Sequence, residues 1–579
     1  MEHGIQASSG TVIFGNVERR FLPDPEHLPL LSFGAPQLRR VWSGRPLNAC
    51  AELLDATVAR FGPDRTAIVT IGRDGGRRWS YRDLLEHVSR LAEGLVSLGV
   101  QPGDRVLVRM PDVPEAAVAQ LAVWRLGGVV VPSSVLETAR ELEFMLGDVE
   151  ASAVICASDY AAALEQALPT APSVRHVVGW PEPVAGGPTV QSLIDSAQNG
   201  MACHPSSAFD ASGIYYTGGT TGLPKGCLHT HAAEVAVADL NGWSRGAGAE
   251  SVFFTHAPIG HAFGNGEKIN FPLRLGATVV YANRPTPAEM WQIIREKKVT
   301  TLAAAATMYR MMLAAATEDD PAGATSLRSA VSSGEVLDDT TFQRWNSAVR
   351  CPVRNTVGMT PMRHLFLESN IAGVKNAPGL SVGAPLPGYE ARLIGDDGGA
   401  APPGEPGRLA MRGPSGITYW INRHPRIRER AAQDVQNGWS LLDDAYILDD
   451  DGWLWFHGRL DDMIVTGGRQ VAPIEVESVL CAHPDVAETC VVPAPDEIRG
   501  QVVFAFVRLR EGVIARPELA EALQVHAKTR MAAYKHPRHI EFVGELPKDH
   551  VGKIQRRKLR EQLANRTSND LASAPTPSA

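Results

Sequence analysis

The stretch that decides the fold is GDRVLVRMPDVPEAAVAQLAVWRLGGVVVPSS, residues 103–134. It contains an apolar β-branched run at 103–110, a helix-like segment at 114–127 and a second apolar run at 127–134. Apolar runs that alternate with amphipathic helices are typical of a parallel sheet covered by helices on both faces. The stretch therefore predicts a βαβ unit of an α/β fold.

The same alternation continues on both sides of this unit. A helix is predicted at 81–98, because Ser80 and Asp83 form a capping box and Gly99 supplies the stop. Its apolar positions recur at three- and four-residue spacing, at Leu84, Val88, Leu91, Leu95 and Leu98. Further strands of the same kind are predicted at 151–158, 277–283 and 299–307.

The predicted pattern of secondary structure changes near residue 460, where short elements replace the long alternation of strands and helices. A helix at EVESVL, strands at ETCVVPAPD and VVFAFVRLR and a helix near 517–529 predict a small α+β domain. A large body and a small lid would form a cleft at their junction, and such clefts are preferred ligand sites. We therefore predict an N-terminal arm (1–45), a large domain (46–459), a small mobile C-terminal lid (460–563) and a disordered tail (564–579).

Composition excludes several classes of protein. The 579 residues carry 56 Lys and Arg against 64 Asp and Glu, a formal charge of −8, so we expect no nucleic-acid partner. We expect no membrane span and no export signal, because no uncharged run approaches the ~20 apolar residues that a span needs. The seven cysteines are widely spaced, which predicts neither a disulfide framework nor a zinc site. A cytoplasmic location fits best.

The motif that carries chemistry is IYYTGGTTGLPKG, residues 214–226. Its glycines let the backbone approach an anion, its threonines add hydroxyl donors, and Lys225 supplies positive charge. It differs from a Walker A loop, because Leu223 and Pro224 separate Gly222 from the lysine. We interpret it as a phosphate-binding loop; the alternative is a glycine-rich surface turn.

With this loop the chain resembles the acyl-adenylate-forming superfamily of acyl-CoA synthetases, adenylation domains and luciferases. Further segments resemble the family in its order along the chain: APIGHAFG (257–264), SSGEVL (332–337), NTVGMTPMRHLF (355–366), WSLLDDAYILDDDGWLWFHGRLDD (439–462), VTGGRQVAPIEVE (465–477) and PKDHVGKIQRRKLR (547–560). Within the family the chain looks most similar to benzoate and 2-aminobenzoate CoA ligases. That similarity is carried by LPDPEHLP, GVVVPSSVLETARELEFML, GHAFGNGEKINFPLRLGA, MRHLFLESN and AAYKHPRHIEFVGELPK.

The resemblance implies ATP, Mg²⁺ and coenzyme A as cofactors and an aromatic carboxylic acid as substrate. The acid attacks the α-phosphate of ATP, pyrophosphate leaves, and a thiol then opens the acyl-AMP. Catalysis of the first step is mostly positioning and charge neutralisation. The catalytic residues implied are Lys553, Thr360 and His261.

The resemblance also implies binding roles for other residues. Those expected to bind the nucleotide are Thr217, Gly218, Gly219, Thr220, Thr221, Gly222, Lys225, Ser333, Gly334, Glu335, Asp444 and Arg459, with Thr220 and Thr221 as candidate metal contacts. Those expected to line the acyl pocket are Phe263, Gly264, Gly358, Met359 and His364. Asp461 would be the hinge of the lid, and Gly467 and Gly468 would line the thiol tunnel.

Each of these assignments has a plainer structural alternative. Asp444 could belong to a solvated acidic loop, and Lys553 to a solvated basic face. His261 and His364 are as readily explained by hydrogen bonding in a core. His229 and His231 form an HxH pair without a third ligand at suitable spacing, so we expect them to be packing residues.

The sequence departs from the family pattern at several positions. Pro361 stands where the family has a glutamate expected to hold Mg²⁺, so the ion could be held by phosphates and water alone. Leu442 and Asp443 precede Asp444 where Thr-Gly is usual, and Val465 replaces a lysine.

Two other functions stay open at this point. One is a stand-alone enzyme that loads the phosphopantetheine of a carrier protein, and the other is a non-catalytic nucleotide- or acyl-binding relative, motivated by Pro361. The sequence does not reveal which acid is used.

Overall fold

The computed structural model describes residues 14–38, 46–72, 76–217, 224–370, 376–395, 397–466, 469–496, 499–532, 534–548 and 554–564. The chain divides into two compact units. Unit 1 comprises Met1–Ala391 and Ala410–Leu441, and unit 2 comprises Arg392–Leu409 and Leu442–Ala579. The domain limits expected at 45, 459 and 563 stay predictions.

The α-helices of the described residues are α1 Ala56–Phe61, α2 Tyr81–Ser97, α3 Pro114–Arg125, α4 Ala139–Asp148, α5 Ala161–Ala167, α6 Val190–Ser196, α7 His231–Ser244, α8 Ala262–Asn265, α9 Phe271–Leu275, α10 Pro287–Glu296, α11 Ala306–Ala315, α12 Asp319–Gly323, α13 Asp339–Ala348, α14 Ile427–Asp434, α15 Pro473–Cys481, α16 Pro517–Lys528 and α17 Arg556–Ala564. Two π-helical turns occupy Ala51–Asp55 and Gly266–Asn270. Short 3₁₀ turns include Thr360–Met362 and Leu460–Asp462.

The strands are β1 Thr66–Thr70, β2 Arg78–Ser80, β3 Arg105–Arg109, β4 Val129–Ser133, β5 Ala153–Ala157, β6 His176–Trp180, β7 Ala211–Thr217, β8 Lys225–Thr230, β9 Val252–Thr255, β10 Thr278–Tyr281, β11 Thr301–Ala304, β12 Ser329–Ser332, β13 Val353–Gly358, β14 Leu365–Glu368, β15 Ala384–Pro385, β16 Glu390–Ile394, β17 Pro406–Arg412, β18 Val435–Gln436, β19 Trp439–Leu448, β20 Leu454–Arg459, β21 Ile464–Thr466, β22 Arg469–Val471, β23 Val486–Asp496, β24 Gly500–Leu509 and β25 His539–Phe542.

The predicted βαβ unit is confirmed as β3, α3 and β4. Strands β3 and β4 pair in parallel, and α3 is buried over almost its whole length. They belong to a sheet of order β6-β5-β3-β4-β7-β8, parallel except for the β7–β8 hairpin. The predicted capping box at Ser80 and Asp83 is also present and begins α2. These local patterns predict structure well because each is decided by neighbouring residues.

A second sheet in unit 1 has the order β15-β14-β13-β12-β11-β9-β10-β1-β2. Neighbouring strands pair in parallel along the part of this order that runs β13-β12-β11-β9-β10-β1. Strands β2, β14 and β15 are antiparallel additions at its ends. Strand β10 lies on one side of β9 and β11 on the other, so the strand order reverses at β9. In open α/β sheets, ligands bind outside the carboxyl ends of the strands at such a reversal.

Two smaller sheets complete the architecture, one of order β16-β17-β19-β18 with β20 on β19 and one of order β22-β21-β24-β23 with β25 on β24. In unit 2 the β23–β24 hairpin packs one face against α15 and α16 around Val491 and Val503. The other face packs against α17 around Phe504 and Leu563. The fold is therefore a mixed α/β body with a smaller C-terminal domain, as expected. Among the described residues, no helix is long and apolar enough to span a membrane.

Four buried charged side chains, in two ion pairs, hold the π-helical turn Gly266–Asn270 in unit 1. Glu267 binds Arg245 through two contacts of 2.7 Å, and Lys268 binds Asp112 at 2.8 Å. All four side chains are at most 4% exposed. π-Helical turns are often found at functional sites, and this one directly follows the predicted pocket segment 257–264.

Candidate active site

Three of the predicted motifs lie at the carboxyl ends of parallel strands in the second sheet. Segment 257–264 follows β9, segment 332–337 begins at the end of β12, and segment 355–366 spans the end of β13. Because these strands run in parallel, their carboxyl ends meet at one edge of the sheet. The motifs recognised in the sequence thus converge on the edge where a ligand is expected.

The phosphate loop connects the strands of the β7–β8 hairpin. Thr217 ends β7 and pairs in register with Lys225, the first residue of β8. The ammonium group of Lys225 lies 5.6 Å from the centre of the Tyr419 ring. Some predicted phosphate contacts lie outside the described residues: Gly218, Gly219, Thr220, Thr221 and Gly222. The hairpin places the two described contacts, Thr217 and Lys225, at the two ends of the loop.

A histidine connects this hairpin to the predicted catalytic threonine. The Nε2–H of His229, on β8, donates to the carbonyl oxygen of Thr360 at 2.8 Å. Burial, helped by the charge of Arg363, lowers the pKa of His229 to about 3, so its imidazole is neutral at physiological pH. His229 therefore positions the 3₁₀ turn Thr360–Met362 through a hydrogen bond, a role that sequence spacing alone did not reveal.

Arg363 holds the same turn in place through buried polar contacts. Its backbone has φ +68°, and its fully buried guanidinium pairs with Glu234 at 2.7 Å. The guanidinium also donates to the Asn265 side chain at 2.8 Å and lies 4.2 Å from the centre of the Tyr215 ring. We missed this residue in the sequence; an arginine inside the apolar run MRHLF was the available signal.

His364, predicted to line the acyl pocket, lies in a cluster of aromatic rings. Its ring stacks 5.5 Å from Phe263 and meets Phe271 edge-on at 4.5 Å. Its Nε2–H donates to the Phe263 carbonyl at 3.0 Å, while its buried Nδ1 has no hydrogen-bond partner in the described structure. Burial and the charge of Arg363 hold the pKa of His364 well below its usual range. Nδ1 is therefore a neutral, buried acceptor without a partner among the described residues.

Two glycines in the predicted pocket are required by close approach. A Cβ at Gly264 would overlap the carbonyl oxygens of Ala257 and Pro258. At Gly358 a Cβ would lie 2.6 Å from the Leu365 side chain. Met359 and His261 are partly exposed beside them, and the His261 backbone begins α8. The segment is thus tightly packed on its backbone side.

The predicted adenine segment follows β12. The Ser333 amide donates to the Ala304 carbonyl at 3.2 Å, and Gly334 has φ +84° with open space around the position of a Cβ. The Glu335 carboxylate accepts from the amide and the hydroxyl of Thr307, at 2.9 and 2.7 Å. Since that carboxylate is already bonded, a nucleotide would meet mainly the backbone of this loop.

Unit 2 carries the predicted ribose-binding and hinge residues. Asp444 pairs in register with Arg459 across the β19–β20 hairpin. The Arg459 guanidinium lies 3.8 Å from Asp443, the neighbour of Asp444. For Asp461 only the backbone is described, in the turn Leu460–Asp462, and Gly467 and Gly468 lie outside the described residues.

The predicted catalytic Lys553 also lies outside the described residues, but its flanks are defined. Lys548 and Ile554 form an antiparallel bridge, so residues 549–553 connect two paired positions. Helix α17 begins just after the lysine, and its Arg556 binds Glu477 at 2.6 Å and approaches Asp462 at 3.7 Å. These ion pairs connect α17 to the turn that contains the predicted hinge.

The described carboxylates around the Thr360 turn can be tested as possible ligands of Mg²⁺. Pro361 offers no ligand, and the carboxylate of Glu335 is bonded to Thr307. Glu368, on β14, is buried and paired with Arg354 at 2.9 Å. The described part of segment 355–370 therefore offers Mg²⁺ no exposed carboxylate, and the candidate metal contacts Thr220 and Thr221 lie outside the described residues.

We expect Pro361→Glu to lower the Mg²⁺ concentration needed for half-maximal pyrophosphate exchange by about fivefold, because a carboxylate is a preferred ligand of this hard cation. The measurement is exchange rate against free Mg²⁺. Pro361→Ala, which removes the proline without adding a ligand, is the matched control. The same shift in both variants would contradict a ligand effect.

Both histidines of the HxH pair are buried and hydrogen-bonded to the backbone. His231 is buried, and its Nδ1 accepts from the Ala49 amide at 3.1 Å. Burial lowers the pKa of His231 from 6.5 to about 3. A histidine that is neutral in the folded chain and protonated in the unfolded chain makes stability fall as pH drops below about 6.5.

Replacing His231 with Gln should therefore reduce the acid sensitivity of folding. We expect the difference in unfolding free energy between pH 7 and pH 5 to shrink by about 2 kcal/mol, the linkage contribution of one such group. Urea unfolding at the two pH values measures it. His87→Gln, at a half-buried position on α2, is the control. An unchanged pH difference in His231→Gln would contradict the assigned protonation state.

Comparison with known proteins places the chain in a family. Residues 54–419 match the AMP-binding enzyme model, and residues 475–553 match the AMP-binding enzyme C-terminal domain. The chain is 34% identical to a benzoate–CoA ligase of Thauera aromatica, over 85% of this chain and 92% of that protein. It is 31% identical to a 4-hydroxybenzoate–CoA/benzoate–CoA ligase of Rhodopseudomonas palustris, over 89% of this chain and 94% of that protein.

A solved structure gives the same result. The crystal structure of an anthranilate CoA ligase in complex with anthranoyl-AMP matches with a TM-score of 0.82 and 30% identity, covering 90% of this chain and 98% of that one. The chain therefore belongs to the AMP-binding enzyme family, and the resemblance seen in its sequence is confirmed. It is an enzyme of the AMP-forming acid–thiol ligase class.

Proposed function

We propose that this enzyme joins an aromatic carboxylic acid to coenzyme A, converting ATP to AMP and pyrophosphate. The observation that carries the proposal is the aromatic cluster of Phe263, His364 and Phe271 beside the Thr360 turn, in which the Phe263 ring is partly exposed. A partly exposed aromatic ring backed by further aromatic rings suits an aryl substrate better than a flexible alkyl chain. The names of the benzoate and anthranilate ligases among its relatives support the same substrate class.

In the first half-reaction the substrate carboxylate attacks the α-phosphate of ATP and pyrophosphate leaves. Thr217, Lys225 and the loop between them would hold the β- and γ-phosphates, and Asp444 would accept hydrogen bonds from the ribose hydroxyls. Lys553 would contact the substrate carboxylate and the bridging phosphate oxygen, where negative charge must be neutralised.

In the second half-reaction the CoA thiol attacks the acyl carbon of the aryl-AMP and AMP leaves. Rotation of the small domain about Asp461 would withdraw Lys553 and bring Gly467 and Gly468 to the thiol path. The carrier-protein alternative receives no support from the relatives, which are named as CoA ligases. Family membership likewise favours an enzyme over a non-catalytic binding protein.

The test is pyrophosphate release across benzoate, salicylate, 2-aminobenzoate, naphthoate and fatty acids, with and without CoA. We expect release that depends on an aromatic acid and an aryl-CoA product that depends on CoA. A phosphopantetheine carrier protein should replace CoA poorly. Release that favours fatty acids, or that requires no acid, would contradict the proposal.

The unpaired Nδ1 of His364 leads to a prediction about ring substituents. We expect a hydroxyl or amino donor on the ring to raise kcat/KM by about three- to tenfold over benzoate, the gain from pairing one buried acceptor. His364→Phe keeps an aromatic ring between Phe263 and Phe271 but removes the acceptor. This variant should lose the preference and keep activity on benzoate; an unchanged preference would exclude Nδ1 as its source.

A further inference from the structure

Two cysteines that are 153 positions apart in the sequence lie together in unit 1. Cys50 precedes the π-helical turn Ala51–Asp55, and Cys203 lies in the irregular segment between α6 and β7. The two Sγ atoms and a carboxylate oxygen of Asp55 all lie within 4.8 Å of one another. The wide spacing of the cysteines predicted no such pairing, so this cluster is a finding of the structure.

Arg125 places a positive charge beside the two sulfurs and Asp55. The Arg125 guanidinium binds both oxygens of Asp55, at 2.9 and 3.0 Å, and its Nη1 lies 3.7 Å from the Cys50 sulfur. The Cys203 thiol donates to Asp55 at 3.6 Å, and its hydrogen bond with Cys50, together with burial, raises its pKa. The two sulfurs therefore differ: Cys50 lies beside a cation and Cys203 beside a base.

The same arginine argues against a metal ion. Cys50, Cys203 and Asp55 supply three ligands, whereas structural zinc sites usually have four. Both carboxylate oxygens of Asp55 are already occupied by Arg125, and a divalent cation here would be repelled by the guanidinium. The cluster is better suited to chemistry between its two sulfurs.

The backbones that carry the cysteines are already fixed side by side. The Leu47 amide donates to the Ser206 carbonyl at 2.8 Å, and the Asn48 side chain donates to the Ser206 hydroxyl at 3.2 Å. Arg125 Nε also donates to the Met201 carbonyl at 2.6 Å. Bringing the sulfurs to the ~2.05 Å of a disulfide therefore requires side-chain movement more than backbone movement.

We propose that Cys50 and Cys203 form a reversible disulfide site, closed by a peroxide and opened by a thiol reductant. Cys203 is partly exposed and meets the oxidant first, whereas Cys50 is buried. The Cys203 proton passes to Asp55 as the sulfur attacks a peroxide oxygen and the O–O bond breaks, and the leaving hydroxide takes that proton from Asp55 to become water. The Cys50 sulfur then attacks the Cys203 sulfenic acid and expels a second water. Two thiols and one hydrogen peroxide thus give one disulfide and two waters.

The experiment uses the full chain, reduced, freed of reductant and exposed to increasing hydrogen peroxide before alkylation. We expect two of the seven thiols to be lost together, a peptide that links Cys50 to Cys203, and full recovery with dithiothreitol. Cys203→Ser should abolish the link, and Cys481→Ser, at the partly exposed cysteine of unit 2, should leave it unchanged. The oxidised wild type should melt a few degrees higher than the reduced form, because a cross-link restricts the unfolded chain.

Several results would overturn the proposal. One is sulfinic acid at Cys203 with the Cys50 thiol still alkylated, and another is a link between other cysteines. Zinc that copurifies in equimolar amount and is lost in Cys203→Ser would show a metal site instead. A lower melting temperature on oxidation would show that the native fold does not accommodate the bond.

Discussion

Replacing Lys553 with Ala is expected to lower acid-dependent ATP–pyrophosphate exchange by about 10³-fold, while thioester formation from supplied aryl-AMP stays within about twofold of wild type. The reason is that the ammonium group is proposed to neutralise charge on the substrate carboxylate and the bridging phosphate oxygen. That charge develops in the adenylation step alone. The two half-reactions are measured separately, by exchange of labelled pyrophosphate and by release of AMP from aryl-AMP and CoA.

Lys558→Ala is the matched control, because Lys558 is an exposed lysine on α17, five positions away. It should leave both half-reactions near wild type. Equal losses in the two half-reactions of Lys553→Ala would show that the lysine supports the fold of the small domain rather than adenylation. Full exchange activity would remove Lys553 from the catalytic residues.

Replacing Arg363 with Met should lower the free energy of unfolding by about 3–5 kcal/mol, the usual cost of leaving a buried charge without its partner. Methionine fills much of the same volume, but the Glu234 carboxylate would remain buried and uncompensated. Both side chains are fully buried in the native chain. Urea unfolding at pH 7 measures the change.

A second substitution distinguishes lost charge compensation from lost packing. Glu234→Gln in the Arg363→Met background should recover part of the loss, because the remaining buried group is then neutral. Arg82→Met breaks an exposed pair of the same type, Arg82–Asp64 at 2.8 Å, and should cost less than about 1 kcal/mol. A loss in Arg363→Met no larger than in Arg82→Met would contradict the assigned role.

Much of the fold could be predicted from the sequence, because its signals are local. The capping box at Ser80 and the run of apolar strands were decided by residues close to one another in the chain. The motif segments could also be recognised locally, but their meeting at one sheet edge is a finding of the structure. What stays a prediction is the role of each site residue, above all Lys553.

The parts that could not be predicted all depend on long-range placement. Arg363 meets Glu234 from 129 positions away, and Cys50 meets Cys203 from 153 positions away. Nothing near either residue in the sequence indicates its partner. The hydrogen bond from His229 to Thr360 is also long-range, since it joins strand β8 to the 3₁₀ turn that follows β13 in the other large sheet.

The ion pairs of the turn Gly266–Asn270 have a consequence for attempts to change the substrate by directed evolution. The charges of Glu267 and Lys268 are each paired with a residue elsewhere in the chain. A single substitution at either position therefore leaves the partner buried without an opposite charge. Libraries that vary these positions one at a time should yield mostly unfolded variants. Diversity is better placed at Phe263, Met359 and His364, with Glu267 and Lys268 exchanged only together with Arg245 and Asp112.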